Sequence, residues 1–296
     1  MMLIKRLIPK FIKKWSKNNP TLYIWTIQSS LFRIITSRFR VVPSLFIIGE
    51  MKCGTTSLHE YLKQNSFTHA SSKKELYFFS NNPTFKVGFS WYRSFFPLKI
   101  TVNLFNFLHK QKSRVYESST DYLYSSICPQ RIKDNIKDPK FIVCLRNPIE
   151  RTFSHYKHCV KTGFENKKIF EDALDAEKDR LKKFREEGLE HNRWSAWSYV
   201  ERSMYSDSIN RWFKIFSKDN FLFIDSHELD RNPIAVMRKI EDFLEIPRHD
   251  HYITDKHMVG NKSKKIDPIT RERLKKVFAE SNERLVNLIN TKFDWD

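Results

Sequence analysis

The sequence predicts an α/β fold, a P-loop-like three-layer arrangement with a central, mostly parallel sheet flanked by helices. Two strand–turn–helix units and the composition carry the prediction. Leu45-Phe46-Ile47-Ile48 is a short apolar run of buried-strand length. It leads through Gly49-Glu50-Met51-Lys52-Cys53-Gly54-Thr55-Thr56 into a helical pattern with Leu58, Tyr61 and Leu62 on one face. Lys140 to Leu145 is a second such run and ends at Arg146-Asn147-Pro148. The 296 residues are 40% hydrophobic and 15% aromatic, enough for a large core and unlike a disordered polyelectrolyte. Four cysteines without a CxxC pair exclude a disulfide scaffold, and six glycines exclude a glycine-rich repeat.

The first loop has the geometry that cradles a phosphate. Glycines let the backbone approach, and free N–H groups at a helix start point at an anion. Gly49 and Gly54 have Walker A spacing, but Thr55 stands where that motif requires lysine, and the loop's only lysine is Lys52. The second unit offers another anion site. Pro148 suits the first turn of a helix, so a helix begins near Asn147, and Arg151 and Ser154 three apart share a face. Arg146 leaves the strand where open α/β sheets bind ligands, so two arginines and a hydroxyl are placed to grip a terminal phosphate. Two strand-end sites imply one ligand with two separated anionic groups. Between them, Glu75 in Lys73-Lys74-Glu75-Leu76-Tyr77-Phe78-Phe79 is either a general base for an acceptor hydroxyl or a surface carboxylate paired with Lys73 or Lys74.

The formal charge of +19 favours an anionic partner. Residues 1–17 place Leu3, Ile4, Leu7, Ile8, Phe11, Ile12 and Trp15 at helical spacing, with lysines and Arg6 on the other face. Such a helix makes peripheral contact with an anionic membrane or packs on the main domain. Residues 22–42 are apolar, but Arg33 would sit mid-bilayer, which argues against a span. With no signal-peptide pattern, the expected location is the cytoplasm, at a membrane surface if the first helix binds one.

These blocks resemble the PAPS-dependent sulfotransferases, the carbohydrate (heparan-sulfate-type) branch above all. Phe46-Ile47-Ile48-Gly49 through Ser57-Leu58 is similar to the family's 5′-phosphosulfate loop. Lys74-Glu75-x-x-Phe78-Phe79 with Gly88-Phe89-x-Trp91-Tyr92 is similar to the block that follows it in the glycan enzymes. Leu145-Arg146-Asn147-Pro148-x-x-Arg151-x-x-Ser154-x-Tyr156 is similar to the 3′-phosphate block, and Ser203-x-Tyr205 to Trp212 and Phe221 to Asp225 to the later helix–strand pair. The resemblance implies PAPS as sulfuryl donor, with no metal required. Lys52 would contact the bridging and 5′-phosphate oxygens. Cys53, Gly54, Thr55, Thr56 and Ser57 would supply the loop that holds the 5′-phosphate. Arg146 and Ser154 would hold the 3′-phosphate, and Glu75 would be the catalytic base. The acceptor would be a glycan, glycolipid or other hydroxylated molecule. Two departures stand out. In Tyr116 to Leu123, Ser118 and Thr120 replace a lysine and a proline common in heparan-type enzymes, which puts a heparan-like substrate in doubt. The nucleotide-closing C-terminal loop lacks its Gly-Arg pair, leaving Lys264 and Lys265 as candidates for the 3′-phosphate or as solvated lysines.

The expected organisation is a basic helical extension over 1–42 and one α/β domain over 43–296, with a charged helical insertion around 163–196 that either rims the acceptor cleft or is a solvated excursion. Thr270 is a candidate cap for the last long helix. Cys53, near a helix start where thiol pKa values fall, is a candidate for oxidation rather than a nucleophile. His59, His155 and His158 match no family block and read as packing or surface. The alternatives are a P-loop-type small-molecule kinase, which the missing Walker lysine disfavours, and a non-catalytic basic module for anionic lipid or nucleic acid without sequence specificity. Oligomeric state is left open.

Overall fold

The computed structural model describes residues 31–186, 195–254 and 265–295; the basic stretch 1–17, Gly188 and Lys264 lie outside them. The strands are β1 (Leu45–Ile47), β2 (Thr68–Ala70), β3 (Arg114–Ser118), β4 (Lys140–Leu145) and β5 (Phe221–Asp225). Between them run α1 (Thr55–Leu62), α2 (Lys99–His109), α3 (Cys128–Asn135), α4 (Pro148–Thr162), α5 (Phe170–Glu186) and α6 (Tyr205–Phe213); α7 (Ser226–Arg231), α8 (Pro233–Leu244) and α9 (Pro268–Ile289) follow β5. All strand pairs are parallel, in the order β2-β3-β1-β4-β5. Chain order reverses around the central β1, so a crevice opens at the carboxyl ends of β1 and its neighbours, where such sheets bind ligands.

The sheet is buried on both faces, as a parallel sheet with helical crossovers must be. Phe46, Phe141 and Val143 pack on one face with Ile132 of α3 and Trp212 of α6. Leu45, Ile47, Ile142 and Cys144 pack on the other with Leu58 and Leu62 of α1 and Met237 and Ile240 of α8. The alternation along β1 and β4 is the period-two geometry of a strand. A third cluster joins Phe153 and Tyr156 of α4, Ala173 and Leu174 of α5, Tyr199, and Leu274 and Phe278 of α9. The charged helical segment therefore packs one face of α5, with Phe170, Ala173, Leu174 and Leu181 buried, and is not a merely solvated excursion.

Helix α4 begins at Pro148, with the Asn147 side chain accepting from the Ile149 and Glu150 amides. Helix α9 begins earlier than Thr270: the Asp267 carboxylate accepts from the Ile269 amide at 2.9 Å and the Thr270 amide at 3.0 Å. The Thr270 hydroxyl instead donates to Glu171 Oε1 at 2.6 Å, tying α9 to α5. A carboxylate at the N-cap is favoured by the same orphan amides that a threonine would serve.

Glu117 of β3 is fully buried and accepts from the hydroxyls of Tyr92 (2.6 Å), Tyr122 (2.7 Å) and Ser119 (2.7 Å). Burial pushes its carboxyl up to about 7, against the pull of those three donors. A carboxyl raised in the folded state contributes stability that is fully present below its unfolded value and lost as pH rises through about 7. The melting temperature of the native chain relative to Glu117→Gln is therefore highest near acid pH and falls across neutrality; a difference independent of pH would contradict the assignment.

Candidate active site

The loop after β1 is fitted to its place by glycine geometry. A Cβ on Gly49 would lie 2.5 Å from the Cys144 carbonyl oxygen of β4, so any side chain there forces the two strands apart. Gly54 has φ +84° and forms the N-cap of α1 with no side-chain cap. The first-turn amides of α1, at Thr55, Thr56 and Ser57, are thus not capped by Gly54, an arrangement suited to an anion. Lys52 itself adopts φ +74°. The start of α4 differs, since Asn147 already occupies two of its amides; anion binding there falls to the side chains of Arg146 and Ser154.

The structure brings the two strand-end loops together. Arg146 Nη1 donates to the Lys52 carbonyl at 3.3 Å. The Tyr205 hydroxyl donates to the Arg146 carbonyl at 2.8 Å and lies 3.8 Å from Cys53 Sγ. The Lys52 ammonium is held below the usual lysine range by burial, then by the positive charges of Arg146, Lys161 and Lys157. Lys157 and Lys161 reach this side because they lie with Ser154 on one face of α4, while Arg146 comes from the end of β4. Ser154 is half-buried on that face. The i, i+3, i+7 spacing was a readable signal for Lys157 and Lys161.

Glu75 lies beside the carboxyl end of β3. Its amide donates to the Ser118 carbonyl at 2.9 Å, and its backbone takes φ +60°. Lys74 Nζ lies 3.1 Å from Glu75 Oε1 and donates to Thr56 Oγ1 at 3.0 Å. Thr120 Oγ1 donates to Glu75 Oε2 at 3.4 Å. The two sequence readings of Glu75 are therefore compatible: it pairs with Lys74, and that lysine ties it to the phosphate loop. Thr120, read as a departure from the glycan enzymes, is a direct partner of Glu75.

Arg151 is a correction. Its side chain is fully buried; Nε donates to Ser203 Oγ at 2.6 Å and Nη2 to the Tyr199 carbonyl. It anchors the 199–203 segment behind the site instead of joining Arg146 in the crevice. Cys53 is a second correction. Its thiol is buried, and burial pushes it up to about 12, opposite to the fall a helix start alone produces. Its amide donates to the Glu50 carbonyl at 3.2 Å. Cys128, Cys144 and Cys159 are buried as well. A thiol-reactive dye should label native protein only as fast as it unfolds; rapid labelling of one thiol would contradict this burial.

Sequence reasoning did not find the buried ion cluster beneath the loop. Arg202 Nε donates to Glu50 Oε2 at 2.7 Å, Nη1 to Asp121 Oδ1 at 2.9 Å and Nη2 to the Thr120 carbonyl at 3.1 Å. Glu50 and Arg202 have no side-chain exposure. This cluster fixes the phosphate loop relative to the segment carrying Thr120, and breaking such a buried pair leaves an uncompensated charge. His155 is fully buried beside it, and burial, then the nearby positive charges, hold its pKa well below the usual value. Lys265 is exposed just before α9.

Residues 43–287 match the sulfotransferase domain family model. The chain belongs to the sulfotransferase family. It is similar to human heparan sulfate glucosamine 3-O-sulfotransferase 6, at 27% identity over 228 residues covering 76% of this chain and 58% of that protein. It is similar to the human bifunctional heparan sulfate N-deacetylase/N-sulfotransferase 2, at 30% identity covering 75% of this chain and 23% of that one. The chain thus spans well under two thirds of the length of these relatives. Among solved structures, the sulfotransferase from Alicyclobacillus acidocaldarius superimposes with a TM-score of 0.63 at 27% identity, covering 86% of this chain and 98% of that one. The central parallel sheet with its strand-end loop is the P-loop-like fold expected from the sequence. Membership sets the kinase aside.

Proposed function

We propose that this sulfotransferase moves a sulfuryl group from PAPS to a hydroxyl or amine of a carbohydrate-type acceptor by in-line displacement. The observation that carries the reading is the convergence of three elements at the carboxyl edge of the sheet. Arg146 bonds the carbonyl of Lys52, and Lys74 joins the base candidate Glu75 to Thr56 of the same phosphate loop. PAPS offers two separated anionic groups and a transferable sulfuryl group, and the donor set fits both. The uncapped start of α1, with Thr55, Thr56 and Ser57, suits the 5′ end. Arg146 and Ser154 suit the 3′-phosphate, and Lys265 stands as a peripheral candidate with Lys264.

Lys52 supplies positive charge where negative charge builds on the leaving phosphate, so its effect is greatest in the transition state. Glu75 accepts the proton of the attacking group. The acceptor oxygen or nitrogen bonds sulfur as the phosphate–sulfate bond breaks, and adenosine 3′,5′-bisphosphate leaves. Thr120 and Lys74 hold both oxygens of Glu75, which orients the carboxylate. The heparan sulfate named in the relatives supports a glycan acceptor, and the strongly basic surface suits an acidic polymer. The test is transfer of labelled sulfate from PAPS across a panel of glycans, glycolipids and simple phenols. Label on glycan or glycolipid is the expected result; label on phenols alone would overturn the acceptor class.

A further inference from the structure

Away from the crevice, a groove between residues 36–39 and α2 is lined by Thr36, Phe39, Leu98, Ile100, Leu104 and Phe107. We propose that this face seats on the surface of an anionic lipid bilayer. Its apolar side chains are turned outward: Ile100 is 73% exposed, Leu104 56%, Phe107 78% and Phe39 54%. Contiguous exposure of this kind is rare on a soluble chain without a partner. The groove is fixed in shape, because the Val41 amide donates to the Pro97 carbonyl at 3.0 Å and Arg40 bridges Leu98 in antiparallel fashion. Local collapse therefore does not bury these side chains.

Charge selects the occupant. No Asp or Glu occurs before Glu50, and none lies between Glu75 and Glu117. Both segments that build the groove are thus free of acidic residues, while Arg38, Lys99 and Lys110 are exposed on them. Lys112, past the end of α2, faces the exposed Glu245, so the unopposed basic side chains are those at the Arg38 and Lys99 side. Outward Ile, Leu and Phe set among basic residues is the composition of an interfacial membrane site, which combines apolar insertion with attraction to anionic headgroups. A protein partner with a merely apolar face would gain nothing from Arg38 and Lys99 beside the groove. The chain preceding the groove continues the pattern, with a further basic and apolar stretch at residues 1–17.

The experiment uses the full chain with vesicles of phosphatidylcholine, with and without phosphatidylserine. Flotation should show partitioning that requires phosphatidylserine and weakens with salt. The pair Leu104→Glu and Phe107→Glu, both on the exposed face of α2, should lower partitioning by about tenfold or more while the melting temperature is kept. A fluorophore on Asn103→Cys should shift to the blue only when phosphatidylserine vesicles are added. Partitioning untouched by the double substitution would overturn the proposal. So would a label already in an apolar environment without vesicles, which would give the groove to residues 1–17 or to a second copy of the chain.

Discussion

Glu75→Gln should abolish turnover, by about 10²–10⁴-fold, while adenosine 3′,5′-bisphosphate binds as before. The amide keeps the size of the carboxylate. Its oxygen can accept from Lys74 and its NH2 can donate to the Thr120 hydroxyl, so the position is held although the Lys74 pair loses its charge. What is lost is the capacity to accept a proton. The donor side, built by the β1 loop and Arg146, is untouched by the change. A structural role for Glu75 gives a different pattern, in which loss of the Lys74 pair disturbs Thr56 and weakens nucleotide binding along with turnover. Single-turnover rates together with nucleotide affinity separate the two. Retained turnover in Glu75→Gln would remove it as the base.

Lys52→Ala should lower the transfer rate by about 10²–10³-fold, the cost of removing one preorganised donor from developing charge. Lys52→Arg should retain part of the rate, since the charge remains but its geometry changes. The pH profile carries a further signature. Burial and the nearby Arg146, Lys161 and Lys157 hold the Lys52 ammonium below the usual lysine range. Its charge is present below that lowered value and is lost as pH rises through it. The alkaline limb of kcat/KM should therefore set in earlier than for an ordinary lysine, and Lys52→Arg should move it upward. An alkaline limb unchanged in the arginine variant would mean that another group titrates there.

Strands β1 and β4 and the phosphate loop were legible in the sequence because their signals are local, whereas β2 and β3 were not read as strands. Leu45 to Ile48 and Lys140 to Leu145 are apolar runs bounded by breakers, and Gly49 and Gly54 mark the turn between a strand and a helix. Strand–helix alternation predicted a mostly parallel sheet, but the order that sets the β1 and β4 loops side by side came from the structure. What was not legible depends on partners remote in the chain. Arg151 and Ser154 share a helix face by spacing, yet Arg151 turns inward because the carbonyl of Tyr199 and the hydroxyl of Ser203 accept its hydrogen bonds there. Arg202 meets Glu50 across 152 positions, and no periodicity encodes that meeting. Cys53 sits at a helix start, where backbone charge lowers a thiol pKa. It is packed with Leu58 and Leu229, so the loss of solvent dominates and the shift has the opposite sign. Thr270 lost the cap to Asp267 for a local reason that was readable, since Asp267 directly precedes a proline at the first helical position.

The most direct test of the donor assignment is calorimetric titration of the chain with adenosine 3′,5′-bisphosphate, against ADP and ATP at one ionic strength. The account predicts selective binding of the 3′,5′ compound, because only it presents phosphate to both the α1 start and the Arg146–Ser154 side. That selectivity should be lost in Arg146→Ala. Equal affinity for all three nucleotides, or binding of the 3′,5′ compound unaffected by Arg146→Ala, would contradict it.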